Sequence, residues 1–162
     1  MKAFMYLSSL LILGCVTAGC GDNAVTTPSP ALSAKFTATL LPASEVPPVS
    51  GSEAGGSGTA TLTFNLTRDS GGNTTAATMD VTVTATGFPP GTALTASHIH
   101  PGIAGVNGGV LVSLGLAPGE VTFASGGGSF TKQRLTMTVD QANSIMANPA
   151  GFYLNIHTAA NP

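Results

Sequence analysis

The sequence predicts an all-β domain, an antiparallel β-sandwich or Greek-key barrel carrying one short helix. Three observations predict it. Several runs alternate apolar and polar residues with a period of two, Gly- and Pro-rich clusters separate the runs, and only 7% of the 162 residues are charged. Strict alternation marks a strand with one face in the core and the other in water. A charge content far below the roughly 25% of an ordinary soluble domain argues against long solvated helices and coiled coils.

Taken in order, strands are expected at 35–41, 58–67, 77–87, 95–100, 109–114, 120–125, 129–139 and 151–157. The first alternates through Phe36, Ala38 and Leu40. In the second, Ala60, Leu62, Phe64 and Leu66 are apolar, and Thr or Asn stands at each position between them. Met79, Val81, Val83 and Ala85 repeat the pattern in the third, as do Leu135, Met137 and Val139 in the seventh. Thr suits the outward positions because it is β-branched and uncharged. Ser70-Gly71-Gly72-Asn73, Pro89-Pro90-Gly91, Gly108-Gly109, Pro118-Gly119 and Gly126-Gly127-Gly128 supply turns. The helix is expected over Gln141–Ala147, with Asp140 as N-cap and Asn148-Pro149 as the stop. Short antiparallel strands at this spacing fit one sandwich domain over residues 34–162.

The N-terminus reads as an address. Met1-Lys2 is followed by an apolar run from Ala3 to Leu13, then by small residues, the layout of a signal peptide over residues 1–19. The run is shorter than the roughly 20 apolar residues of a membrane span. Thr17-Ala18-Gly19-Cys20 resembles a bacterial lipobox, with Thr17 where Leu is usual. The chain has two cysteines, Cys15 and Cys20. Cleavage before Cys20 leaves a mature chain with a single thiol, which has no disulfide partner. Cys20 is therefore the expected lipid carrier, tethering the domain to a membrane that the polypeptide does not cross. An ordinary secretory signal with incidental cysteines is the alternative. Residues 20–33, small, polar and Pro-containing, are the expected flexible tether. The expected location is the bacterial cell envelope, the outer membrane in a Gram-negative cell, with the lipid anchor as the only membrane contact.

Composition excludes other classes. Five Lys and Arg against seven Asp and Glu give a net charge of −2, so no basic patch exists to displace counterions from nucleic acid. The hydrophobic fraction of 43% excludes a disordered acidic chain. No nucleotide, flavin or Gly-x-Ser-x-Gly motif is present. The carboxylates Glu45, Glu53, Asp69, Asp80, Glu120 and Asp140 are scattered and read as solvated, as does the pair Lys132 and Arg134.

The chemistry that remains lies with the three histidines, His98, His100 and His157. In Ser97-His98-Ile99-His100 a strand period places both imidazoles on one face and Ile99 on the other. In Tyr153-Leu154-Asn155-Ile156-His157 the same period puts Tyr153, Asn155 and His157 opposite Leu154 and Ile156. With Ile99 and Ile156 inward on neighbouring strands, the three rings converge on an outward-facing patch. Three neutral imidazoles on a rigid sheet suit copper or zinc. The competing reading is three surface histidines bonded to Thr, Asn and backbone groups.

Three segments resemble the CHRD domain, named from chordin and present in many exported bacterial proteins. They are Phe36 to Val49 with its Glu45-Val46-Pro47-Pro48, followed by Gly58-Thr59-Ala60-Thr61-Leu62; Ser97-His98-Ile99-His100-Pro101-Gly102 through Leu114; and Gly151 to Thr158 with its Asn155-Ile156-His157-Thr158. The resemblance spans residues 36–162 and implies an immunoglobulin-like or Cu/Zn-dismutase-like sandwich. Its histidine pattern also looks like the copper site of Cu/Zn superoxide dismutases, although three histidines allow one mononuclear site at most. Chordin's growth-factor partner does not carry over. Family members usually continue after Asn-Pro into a further strand, so the resemblance implies a truncated C-terminus, with a natural variant as the alternative, and an unpaired edge beside the strand bearing His157. The expected function is an exported, membrane-tethered binding module holding one copper or zinc ion through His98, His100 and His157, with an unidentified protein or small ligand as partner. The rivals are a copper-dependent redox enzyme of dismutase type and a metal-free structural or adhesive domain.

Overall fold

The computed structural model describes residues 2–6 and 32–162. The expected lipid carrier Cys20, and most of the leader and tether, lie outside the described residues. The strands are β1 (Lys2–Tyr6), β2 (Leu32–Leu41), β3 (Ser57–Arg68), β4 (Thr74–Thr86), β5 (Thr92–Pro101), β6 (Val112–Ser113), β7 (Thr122–Phe123), β8 (Gly128–Met137) and β9 (Phe152–Thr158). One helix, α1 (Val139–Ala147), lies between the last two. All pairings are antiparallel, in the order β6-β5-β9-β1-β2-β3-β4-β8, with β7 pairing the start of β5. The described residues form an all-β sandwich with one α-helix, the sandwich being what the alternation predicts.

The alternation sets the core. Phe36, Ala38 and Leu40 from β2, Leu62 and Phe64 from β3, and Met79, Val81 and Val83 from β4 are all buried. They meet Leu94 and Ile99 from β5 and Leu154 and Ile156 from β9 in one cluster. Each large apolar side chain removed from water contributes roughly 1.5–3 kcal/mol. Phe36 and Phe64 pack edge to face, with ring centroids 5.3 Å apart.

The structure differs locally in three places. The strand expected through Val139 stops at Met137, because Val139 opens α1 instead. The helix cap is Thr138, not Asp140: the Thr138 side chain accepts from the Gln141 backbone N–H, and the Gln141 side chain accepts from that of Thr138. This reciprocal box satisfies two donors at once, which Asp140 two residues further on cannot do. The strands expected at 109–114 and 120–125 shrink to two-residue ladders. Their backbone groups still bond the edge of β5, through Leu111 N–H to Ile99 O, Leu114 N–H to Ser97 O and Leu94 N–H to Val121 O, but the turns at Gly115 and Pro118-Gly119 interrupt the register. In β8 the ladder slips between Met79 and Val81, and Asp80 accepts from the Arg134 backbone N–H at 2.7 Å within that bulge.

Several carboxylates are not simply solvated. Glu53 is buried and accepts from Thr158 Oγ1 at 2.8 Å and Asn161 Nδ2 at 2.6 Å, tying a short 3-10 turn to the end of β9. Glu120 pairs with Lys132 at 2.6 Å.

While residues 1–19 remain attached, the open edge expected along β9 is filled. β1 pairs antiparallel with β2 from Lys2↔Leu41 to Tyr6↔Thr37, and with β9 from Lys2↔Asn155 to Phe4↔Tyr153. Two facing strand edges carry rows of unpaired N–H and C=O groups, and a short length of main chain satisfies both. Five residues of the expected leader thus lie beside the strand that carries His157.

Candidate functional site

The site is built on β5 and β9. Their register pairs Ala96 with His157, Ser97 with Ile156, His98 with Asn155, Ile99 with Leu154 and His100 with Tyr153. Directly opposed residues share a sheet face. Ile99, Leu154 and Ile156 therefore enter the core, while His98, His100, Tyr153, Asn155 and His157 share the other face. His157 is the diagonal neighbour of His98, and His100 is its neighbour along the strand. Both separations are within reach of an aromatic side chain.

The three imidazoles meet. One nitrogen from each of His98, His100 and His157 lies within 4.8 Å of the other two. The His98 ring centroid is 5.6 Å from that of His100 and 5.2 Å from that of His157. The patch is more enclosed than the outward-facing surface the sequence predicts: His100 is buried, and His98 and His157 are half-buried.

His100 is covered by the loop after β5. Its Nδ1 lies 2.9 Å from the Gly108 carbonyl oxygen. A carbonyl can only accept, so Nδ1 carries a proton, and in the neutral ring Nε2 then holds the lone pair. Nε2 lies 3.2 Å from Asn155 Oδ1. On the other side the ring stacks on Tyr153, with centroids 4.9 Å apart and planes 4° from parallel. The Tyr153 hydroxyl accepts from the Gly108 N–H at 3.1 Å, closing a circuit through both groups of one peptide residue. Gly108 has no substitute here, because a Cβ would collide with the Pro101 carbonyl.

The electrostatics favour neutral rings. Burial holds the His98 imidazole below its ordinary pKa, and the nearby His157 and His100 add to the effect. Burial also lowers His157, with a contribution from His100, against the opposing Glu45 carboxylate and Pro162 carbonyl. His98 Nδ1 is buried and, among the described residues, has no hydrogen-bond partner. Beside His157 opens a cleft of about 340 Å³, walled by Glu45, Val46, Pro47, Pro48 and Asn161.

Three imidazole nitrogens gathered this closely are a donor set for borderline metals. Sequence reasoning placed the histidines, together with Tyr153 and Asn155 on their face. It missed Gly108, whose contact is made through the backbone; the Gly108-Gly109 pair read only as a turn.

An antiparallel β-sandwich with three imidazoles gathered on the outer face of two adjacent strands defines the class of this domain. The family model of the CHRD domain matches residues 36–162, and the chain belongs to that family. That span contains all three histidines, Asn155 and Gly108. Neither the curated proteins nor the solved structures give a significant match.

Proposed function

We propose that this CHRD domain is an exported, membrane-tethered binding module that coordinates one copper or zinc ion through His98, His100 and His157. The observation that carries the reading is the approach of one nitrogen from each ring to within 4.8 Å of the other two. Nitrogens sharing one ion at about 2.0–2.1 Å stand roughly 3–4 Å apart, a closure that small side-chain rotations supply. His98 Nδ1, which has no partner among the described residues, supports it, since a buried polar atom without a partner is rare. The lowered pKa values of His98 and His157 support it too, because a ligand imidazole must give up its proton. Export and tethering rest on the leader-like Met1–Gly19 and on Cys20.

The test is metal content and affinity of the purified protein, measured by mass spectrometry and chelator competition. Wild type is expected to bind one equivalent of copper or zinc, and His98→Ala, His100→Ala or His157→Ala to lose most of that affinity. Less than about 0.1 equivalent after reconstitution would leave a metal-free structural domain. Bound copper that turns over superoxide or peroxide would move the reading to a redox enzyme.

A further inference from the structure

The outer face of β5 and β9 carries a further polar side chain in contact with the imidazoles. Asn155 stands directly across from His98 and two residues before His157 on the same strand. It is buried, 4% exposed, and its Oδ1 lies 3.2 Å from His100 Nε2. That contact has an unusual chemistry. In the neutral ring the His100 proton sits on Nδ1, facing the Gly108 carbonyl, and Nε2 presents a lone pair. A carboxamide oxygen presents lone pairs as well. Two acceptors facing each other with no hydrogen between them are stabilised by a cation that both can touch. The spacing is right for this: two donors about 2.0–2.1 Å from a tetrahedral ion stand about 3.3 Å apart.

We propose that Asn155 Oδ1 is the fourth protein ligand of the metal centre, giving a donor set of three imidazole nitrogens and one carboxamide oxygen. This rests on the three-histidine reading above and extends it to a residue outside that triad. Such a set carries no ligand charge, so the bound ion keeps its full positive charge. The four donors come from two adjacent strands locked in one register, so the geometry is fixed by the sheet rather than by a loop. The rival arrangement turns the carboxamide over, so that Nδ2–H donates to His100 Nε2. Asn155 would then be a hydrogen-bond donor, and no metal could use that nitrogen.

Substitutions separate the two. Zinc and cobalt affinities of the full chain would be measured by chelator competition for wild type, Asn155→Asp, Asn155→Leu and Asn155→Ala, with circular dichroism melts of the metal-free proteins. A ligand role predicts that Asn155→Asp, which keeps an oxygen and adds a negative charge, binds zinc at least as tightly as wild type. It also predicts that Asn155→Leu and Asn155→Ala bind at least tenfold more weakly. A donor role predicts that Asn155→Ala, which frees the His100 Nε2 lone pair, binds zinc at least as tightly as wild type, and this overturns the proposal. Asn155→Asp binding more weakly than wild type overturns it as well. Should Asn155→Leu fail to fold, the comparison of Asn155→Asp with Asn155→Ala decides alone. If wild type binds no zinc or cobalt, the three-histidine reading falls and this proposal with it. If wild type binds and His98→Ala abolishes binding while Asn155→Ala does not weaken it, only the fourth ligand is lost.

Discussion

Ala96 and His157 face each other across β5 and β9, and this single pairing brings the third imidazole to the other two. The ladder slips between Leu94 and Ala96 and runs in step from there to Pro101↔Phe152. A one-residue shift in this register would send His157 toward the core and Ile156 outward, because side chains alternate with a period of two. Core burial of Ile99, Leu154 and Ile156, each at most 2% exposed, holds the register. The core therefore positions the site.

Gly108 is the first target. Gly108→Ala drives a Cβ into the Pro101 carbonyl and displaces the carbonyl oxygen that fixes the His100 tautomer. Groups that orient a metal-binding histidine typically contribute 10–100-fold to affinity. The expected outcome is a loss of that size in zinc or copper affinity, with all three histidines intact. Chelator competition measures it, and affinity within threefold of wild type would show that the carbonyl is not needed.

Acid should weaken both the fold and the metal complex. The folded pKa values of His98 and His157 lie below their ordinary value near 6.5. On acidification the unfolded chain takes up these protons first. The stability held by the neutral rings is therefore complete above about pH 6.5 and falls as pH drops toward the folded values. Protons also compete with metal for the same nitrogens. Urea unfolding of metal-free protein at pH 7.5 and pH 5 should show lower stability at pH 5. Proton NMR of the imidazoles should place the His98 and His157 midpoints below 6.5, and midpoints at or above that value would contradict the effect of burial on these rings.

Removal of residues 1–19 should open the edges of β2 and β9. β1 bonds both strands, so its loss leaves their facing backbone groups to water. A melting temperature lower by several degrees is expected, on the order of 1–3 kcal/mol for a domain of this size. Hydrogen exchange should quicken along Thr37–Leu41 and Tyr153–Asn155, the residues that β1 pairs. A synthetic peptide of residues 2–7 should slow it again. Equal exchange in both proteins would show that β1 adds nothing to the sheet.

Cys20→Ser tests the anchor. If Cys20 carries lipid, the full chain expressed in a Gram-negative host should partition with membranes and the variant should not. No helix among the described residues is long and apolar enough to cross a membrane. A variant that stays with the membrane fraction would refute the lipid anchor.

The sequence by itself determined the strands with strict alternation. Ala60 to Leu66 and Met79 to Ala85 could satisfy their pattern only with one face buried, and the structure buries the apolar residues of both runs. It also determined that His98 and His100 share a face, since two residues along a strand return to the same side. It did not determine where the helix begins, because Thr138 and Asp140 are both good caps and only the reciprocal bond to Gln141 selects Thr138. The pairing of β5 with β9 was also undecided. These strands are far apart in the chain, and their neighbourhood depends on non-local packing. Tertiary structure alone gathered His157 to the other rings, laid the Gly108 carbonyl over His100 and set Asn155 between them. The physical reason is that alternation fixes which face a residue occupies, while the register and covering loops that decide which faces meet follow from the shared core.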